Sequence, residues 1–209
     1  MIATARFLVA LVLGSAAARA DEAPQANIVI MGDSLTAGRG VDPGEAFPAV
    51  LGALIEAEGL PYRVTAAGVS GETSAGGLRR VDWILRQPTD IFVLALGAND
   101  GLRGLPVDST AENLQAILDK VKEEHPDAKL VIAGMQMPAN FGRDYVRAFR
   151  AIFPKLAEDN GATLVPFLLQ GVAGDAALNQ ADRIHPNPDG HRKIAEALLP
   201  ILRPLLAAE

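Results

Sequence analysis

The sequence predicts an α/β fold in which a five-stranded parallel sheet lies between two layers of helices. From residue 27 onward, short apolar runs alternate with helical patterns, which is the arrangement of βαβ units. The clearest runs, at residues 28–31 and 91–96, contain no polar residue, as expected for strands that are covered on both faces. We therefore predict a three-layer α/β/α sandwich.

The strands are predicted from apolar runs that end at glycine or polar residues. They lie at residues 27–32, 62–66, 91–96, 130–133 and 163–167. Pro166 has no backbone N–H, so the last strand is expected at an edge of the sheet or to stop early.

The helices are predicted from apolar residues at helical spacing. One runs from residue 47 to a stop at Gly59, and a second covers residues 78–85 ahead of Pro88. Ser109 and Glu112 form a capping-box pattern at the start of a third. A fourth covers residues 145–156 with an expected kink at Pro154, and the last begins at Pro188.

Residues 1–20 have the pattern of a cleaved secretory signal peptide. Arg6 precedes an apolar core at residues 7–13, and Ala18-Arg19-Ala20 precedes Asp21. The core is well short of the ~20 residues of a membrane span, which argues against a membrane anchor; a native first helix is the other alternative. We expect residues 21–209 to form a single domain, exported to the bacterial periplasm or secreted.

Charge and composition narrow the classes of partner. The net charge is −6, and it becomes −8 without residues 1–20, which hold two arginines and no acid. An acidic chain argues against nucleic acid or anionic membrane as standing partners. The absence of cysteine excludes disulfides, thiolate metal sites and a cysteine nucleophile. We expect a monomer.

Two segments place complementary chemistry after predicted strands. Ser34 follows the first strand, where ligands bind in parallel sheets. A serine needs a base to become a nucleophile, and His185 supplies one. Asp182 lies three residues before His185, so its carboxylate can fix the imidazole tautomer. Ser34, His185 and Asp182 are thus a candidate catalytic triad.

Four segments resemble the blocks of the GDSL or SGNH hydrolases. They are Gly32-Asp33-Ser34-Leu35, Ser70-Gly71-Glu72-Thr73, Gly97-Ala98-Asn99-Asp100 and Asp182-Arg183-Ile184-His185-Pro186. The sequences of residues 99–104 and 137–142 are similar to those of the bacterial branch of this family that contains multifunctional thioesterases, lysophospholipases and arylesterases. The resemblance runs from about residue 27 to the end.

The resemblance implies a flavodoxin-like strand order of 2-1-3-4-5 and a serine esterase that needs no cofactor. It assigns an oxyanion hole to the backbone N–H groups of Ser34 and Gly71 and to the side-chain amide of Asn99. The substrates implied are aryl esters, acyl thioesters and lysophospholipids, with water as the second reactant. Apolar side chains of two loops are expected to line the acyl site: Leu102, Leu105, Met135, Met137, Pro138 and Phe141.

Each assignment has a structural alternative. Ser34 alone would suit a helix N-cap, and Gly71 and Asn99 would suit turns. Asp33 and Asp100 are acids beside the site, but we expect them to hydrogen-bond loop backbone and expect no metal site. The apolar loop side chains can equally pack the loops onto the sheet.

The two remaining histidines are assigned no role. His125 is interpreted as a surface residue at a helix end, and His191 as a solvated residue of the last helix.

Three other functions stay open from the sequence. A carbohydrate deacetylase would use the same chemistry with different loops. A metal-dependent phosphoesterase would draw on more histidines and would lose activity in EDTA. A non-catalytic lipid carrier would share the apolar loops but would form no acyl-enzyme.

Overall fold

A computed structural model describes residues 25–206. Within them, five parallel strands form one sheet in the order β2-β1-β3-β4-β5, as the family resemblance implied. The strands are β1 Ala26–Gly32, β2 Tyr62–Gly68, β3 Ile91–Ala95, β4 Lys129–Ala133 and β5 Thr163–Val165. The predicted signal peptide lies outside the described residues.

Helices cover both faces of this sheet, which confirms the three-layer prediction. They are α1 Phe47–Ala57, α2 Ser74–Ile84, α3 Ala98–Leu102, α4 Val107–Glu124, α5 Arg143–Asn160 and α6 Pro188–Leu206. Helix α1 packs against α6, while α2 packs on α4 and α4 on α5. Every residue of β3 is buried, as its continuous apolar run predicted. No helix in residues 25–206 combines the length and the apolar character needed to cross a membrane.

Several predicted boundaries differ from those of the structure. Helix α4 begins at Val107 after an N-cap at Pro106, so Ser109 lies inside the first turn and makes no capping box. Strand β2 continues to Gly68, because it stays paired with β1 as far as Gly32. Strand β5 lies at the edge of the sheet and ends at Val165, as expected from Pro166, which removes the next donor of the ladder.

The aligned ends of three strands create the place for a site. Gly32 ends β1 opposite Gly68 of β2 and Ala95 of β3. The chain after β1 folds back over these ends so closely that a Cβ on Gly68 would lie 2.3 Å from the backbone nitrogen of Ala37. Loops leaving β1, β2 and β3 therefore start side by side at the carboxyl edge of the sheet.

Candidate active site

Ser34 lies two residues beyond the end of β1, in a tight turn. The backbone N–H of Arg39 donates to the carbonyl oxygen of Ser34 at 3.0 Å, which fixes this turn. The serine side chain is buried among the loops, and its Oγ lies 3.0 Å from Nε2 of His185. The hydroxyl and the imidazole are thus in hydrogen-bond contact although 151 residues separate them.

His185 is held in a hairpin just before α6. The backbone N–H of Gln180 donates to the carbonyl of His185 at 2.8 Å, and that of Asn187 donates to Leu178 at 3.0 Å. His185 Nδ1 lies 2.6 Å from Oδ2 of Asp182. The structure therefore brings together the three side chains of the predicted triad.

The charge of Asp182 fixes the tautomer of His185. The backbone N–H of His185, its imidazole and the N–H of Ile184 all donate to this carboxylate, and these hydrogen bonds hold the pKa of Asp182 well below its usual range. An ionised carboxylate only accepts hydrogen bonds, so Nδ1 carries the proton. Nε2 is then the free acceptor that faces the Ser34 hydroxyl.

Gly71 and Asn99 follow β2 and β3, the two strands that flank β1 in the sheet. Asn99 lies in the first turn of α3, and its Nδ2 donates to Oδ2 of Asp33 at 3.1 Å, which leaves one amide hydrogen for another acceptor. Gly71 has φ +79°, a conformation that favours glycine. The backbone N–H groups of Ser34 and Gly71 donate no hydrogen bond to any atom of residues 25–206.

Asp33 was predicted to hydrogen-bond loop backbone, and it does so. Its Oδ1 accepts from the N–H of Leu35 at 3.0 Å. Its second bond, to Asn99, was not predicted. Burial raises the pKa of Asp33 to about 6, although both hydrogen bonds oppose the shift. A carboxyl group next to the serine thus titrates close to neutral pH.

A buried side-chain pair joins the loop after β2 to α3. The Asp100 carboxylate accepts from the backbone N–H of Ser74 at 2.8 Å and from its hydroxyl at 2.6 Å. Arg80 ties the same loop to the sheet, because it pairs with Glu72 and donates to the carbonyl of Ala67 at 2.8 Å. Asp100 was predicted to hydrogen-bond backbone, and it does so. Its partner Ser74 and the contacts of Arg80 were not predicted, since nothing in the local sequence pattern reveals which loop faces which.

The predicted acyl-site residues divide into two groups. Leu102 and Leu105 are 40% and 36% exposed, Pro138 is exposed and Phe141 is half-buried. Met135 and Met137 are instead buried in the core, so the structure does not bring all six together as one exposed wall. The Met137 thioether packs on the backbone of Gly101, where an added Cβ would lie 2.4 Å from its sulfur.

Two further apolar side chains near the site were not predicted. Val69 follows β2 and is 46% exposed, and Ile184, next to His185, is 50% exposed. Both lie in loops at the carboxyl edge of the sheet. Their exposure adds apolar surface to the loops that carry the site.

The interpretation of His191 as solvated is wrong. Its side chain is 1% exposed, its ring stacks on Phe47, and its Nδ1 accepts a hydrogen bond from the Phe47 N–H at 3.2 Å. Burial lowers the pKa of His191 to about 4, so it is neutral at pH 7.

His125 is not a simple surface residue either. It is half-buried, and its Nε2 lies 2.9 Å from the carbonyl of Leu85.

Within residues 25–206, no group of three or more potential ligands has the arrangement of a metal site.

Comparison with known proteins gives a consistent picture. A sequence model of the GDSL-like Lipase/Acylhydrolase family matches residues 30–193. The chain is 37% identical to Esterase TesA of Pseudomonas aeruginosa, over 88% of this chain and 92% of the relative. It is 38% identical to Thioesterase 1/protease 1/lysophospholipase L1 of Escherichia coli K12, over 96% and 92%.

A solved structure with a similar fold is that of the psychrotrophic esterase EstA from Pseudoalteromonas sp., inhibited by monoethylphosphonate. Its TM-score is 0.81 and its sequence identity 34%, over 87% of this chain and 99% of that one.

Proposed function

The chain belongs to the GDSL-like lipase/acylhydrolase family, and from this we propose that it is a serine esterase that cleaves carboxylic esters and thioesters through an acyl-enzyme on Ser34. One observation carries the proposal. The Ser34 hydroxyl is 3.0 Å from an imidazole nitrogen whose opposite nitrogen is 2.6 Å from a carboxylate. Such an arrangement activates a hydroxyl for attack on a carbonyl carbon.

Acylation begins when His185 Nε2 takes the Ser34 proton and Oγ attacks the substrate carbonyl. The negative charge that develops on the carbonyl oxygen is stabilised by the N–H groups of Ser34 and Gly71 and by the free amide hydrogen of Asn99. These donors are held in place before the reaction, so little reorganisation is needed. The imidazolium then gives its proton to the departing alcohol or thiol, and the serine ester remains.

Deacylation repeats the same steps with water as the nucleophile. His185 takes a proton from water, the hydroxide attacks the acyl carbon, and the carboxylic acid leaves as Ser34 recovers its proton. Asp182 stays ionised throughout and stabilises the imidazolium in both halves of the reaction. The scheme requires no cofactor.

The substrates we propose are aryl esters, acyl thioesters and lysophospholipids. The names of the relatives support esters, acyl thioesters and lysophospholipids, since one includes thioesterase and lysophospholipase and the other is an esterase. The aryl esters rest on the resemblance of residues 99–104 and 137–142 to the arylesterase branch. Leu102, Leu105, Pro138 and Phe141 contact the acyl chain in this proposal. Met135 and Met137 are buried in the core and do not contact the acyl chain in this proposal.

We also propose that the enzyme acts outside the bacterial cytoplasm. The support is the pattern of residues 1–20, with a basic residue, an apolar core and small residues ahead of Asp21. Edman sequencing of the exported protein tests the site of cleavage. An N-terminus at Asp21 is expected, and retention of Met1 would contradict export by this route.

The function itself is tested by hydrolysis of p-nitrophenyl butyrate and of an acyl thioester by the native chain and by single variants. Ser34→Ala and His185→Ala are expected to lower kcat by at least about 10⁴-fold, with a smaller loss for Asp182→Ala. Ser109→Ala, which changes an exposed serine of α4, is the matched control and should keep the native rate. Native-like rates in Ser34→Ala would refute the proposal.

A further inference from the structure

The loops that carry Ser34 and His185 do not come from neighbouring strands. Ser34 follows β1, whereas the hairpin of residues 178–187 lies between β5 and α6. Strands β3 and β4 separate β1 from β5 in the sheet. The sheet alone therefore does not set the distance between hydroxyl and imidazole, and other contacts must hold the hairpin against the serine loop, residues 33–46.

Gln180 makes such a contact. Its Nε2 donates to the carbonyl of Arg39 in the serine loop at 2.7 Å and to the carbonyl of Pro186 in its own hairpin at 2.8 Å. Since both partners are carbonyl oxygens, the nitrogen of the amide has to face them. Its backbone N–H donates to the carbonyl of His185 at 2.8 Å.

The hydrogen bonds form a continuous path between the two reactive residues. Ser34 accepts from the N–H of Arg39, the carbonyl of Arg39 accepts from the Gln180 side chain, and the Gln180 backbone donates to His185. Apart from the contact between Ser34 and His185, the bond from Gln180 to the Arg39 carbonyl is the one hydrogen bond between residues 33–46 and 178–187 in the described chain.

The serine loop is shaped to receive this side chain. Gly40 has φ +81°, and a Cβ at this position would lie 2.2 Å from Oε1 of Gln180. The absence of a side chain at residue 40 therefore lets the Gln180 amide approach the loop closely. A second link, from the Phe47 N–H to His191, joins the starts of α1 and α6 farther from the reaction.

We propose that Gln180 is a positioning residue that holds His185 within hydrogen-bond distance of Ser34. This inference rests on the proposed function, because it assumes that His185 acts on Ser34. Gln180 touches no reacting atom in the scheme. It acts through the Arg39 carbonyl on one side and the His185 backbone on the other, so its removal loosens the reactive pair without changing the chemical groups.

The test is a double-mutant cycle with Gln180→Ala and His185→Ala, measured on p-nitrophenyl butyrate, with enzyme-free buffer as the blank. A displacement of about 1 Å lowers a rate by about 10²-fold, so Gln180→Ala is expected to lower kcat by roughly that factor and to leave KM within about twofold. In the His185→Ala background the same change should alter the residual rate by less than about twofold, since no imidazole remains to be positioned.

Gln180→Glu repeats the cycle with a side chain of the same length that cannot donate. Gln87→Ala, at the opposite end of the sheet, is the matched control, and circular dichroism verifies folding. A loss of less than about threefold in the native background overturns the inference, as does an equal loss in both backgrounds, which would indicate a general structural role. Native activity of His185→Ala would instead refute the proposed function.

Discussion

At the level of single residues, Asn99 has two roles in the proposed mechanism. One amide hydrogen is bound to the buried carboxyl group of Asp33, and this bond orients the side chain. The other hydrogen is directed to the substrate oxyanion. An oriented donor stabilises the transition state more than the ground state, so its effect should fall on kcat.

Replacing Asn99 by alanine is therefore expected to lower kcat by on the order of 10² to 10³, the usual effect of removing one oxyanion donor. Steady-state kinetics on p-nitrophenyl butyrate measure it, with KM as the internal control. If kcat fell less than about fivefold, or if the loss appeared only in KM, Asn99 would have no part in stabilising the oxyanion.

At the level of elements, the site depends on how α2 and α3 are joined. Asp100, in α3, accepts two hydrogen bonds from Ser74, the first residue of α2. Both side chains are almost fully buried. The pair thereby sets the loop that carries Gly71 relative to the turn that carries Asn99.

The change Asp100→Ala leaves the N–H and the hydroxyl of Ser74 without an acceptor. We expect a loss of about 2 to 3 kcal/mol in the free energy of unfolding, measured by urea denaturation. The exposed Asp127→Ala, in the loop before β4, is the control and should change stability by less than about 0.5 kcal/mol. Equal stability of the two variants would show that the buried pair does not hold the elements together.

The elements themselves were predicted to different degrees, for physical reasons. Strands β1 and β3 are continuous apolar runs between polar residues, so both were located correctly. The start of α4 was missed, because Ser109 and Glu112 fit a capping box although Pro106 is the N-cap and the helix begins at Val107. More than one local pattern can mark the end of a helix. Here the proline, whose φ is fixed, marks the start of α4.

The arrangement of the site could be predicted only in part. Ser34 and His185 were found because nucleophile and base both follow strands whose carboxyl ends share one edge. The long-range partners of Asp33, Asp100 and Gln180 were not found, since each of these contacts joins segments far apart in the sequence. His191 was misjudged because Arg192 and Lys193 beside it are polar, while its own position faces α1.

At the level of the whole molecule, His191 links stability to pH. The pKa of this buried imidazole is about 4 in the folded chain, below the ordinary value of 6.5. Between these values the unfolded chain binds a proton that the folded chain does not, so stability is lost as pH falls from 6.5 toward 4. The raised pKa of Asp33 acts in the opposite direction below pH 6.

The variant His191→Asn isolates this effect, because its Oδ1 can accept from Phe47 but does not titrate. Between pH 7.5 and pH 5, we expect the native chain to lose about 2 kcal/mol more unfolding free energy than the variant. Urea denaturation at both pH values gives the change in unfolding free energy for each protein. Because both proteins contain Asp33, its contribution cancels when the two changes are subtracted. Identical pH dependence of the two proteins would contradict a buried, neutral His191.

The proposed mechanism depends on a covalent intermediate on Ser34, and its sharpest test is mass spectrometry after reaction with a p-nitrophenyl alkylphosphonate. We expect that one p-nitrophenolate is released per chain, that the added mass lies on the peptide containing Ser34, and that Ser34→Ala remains unlabelled. Labelling of another residue, or unchanged labelling of Ser34→Ala, would contradict the mechanism.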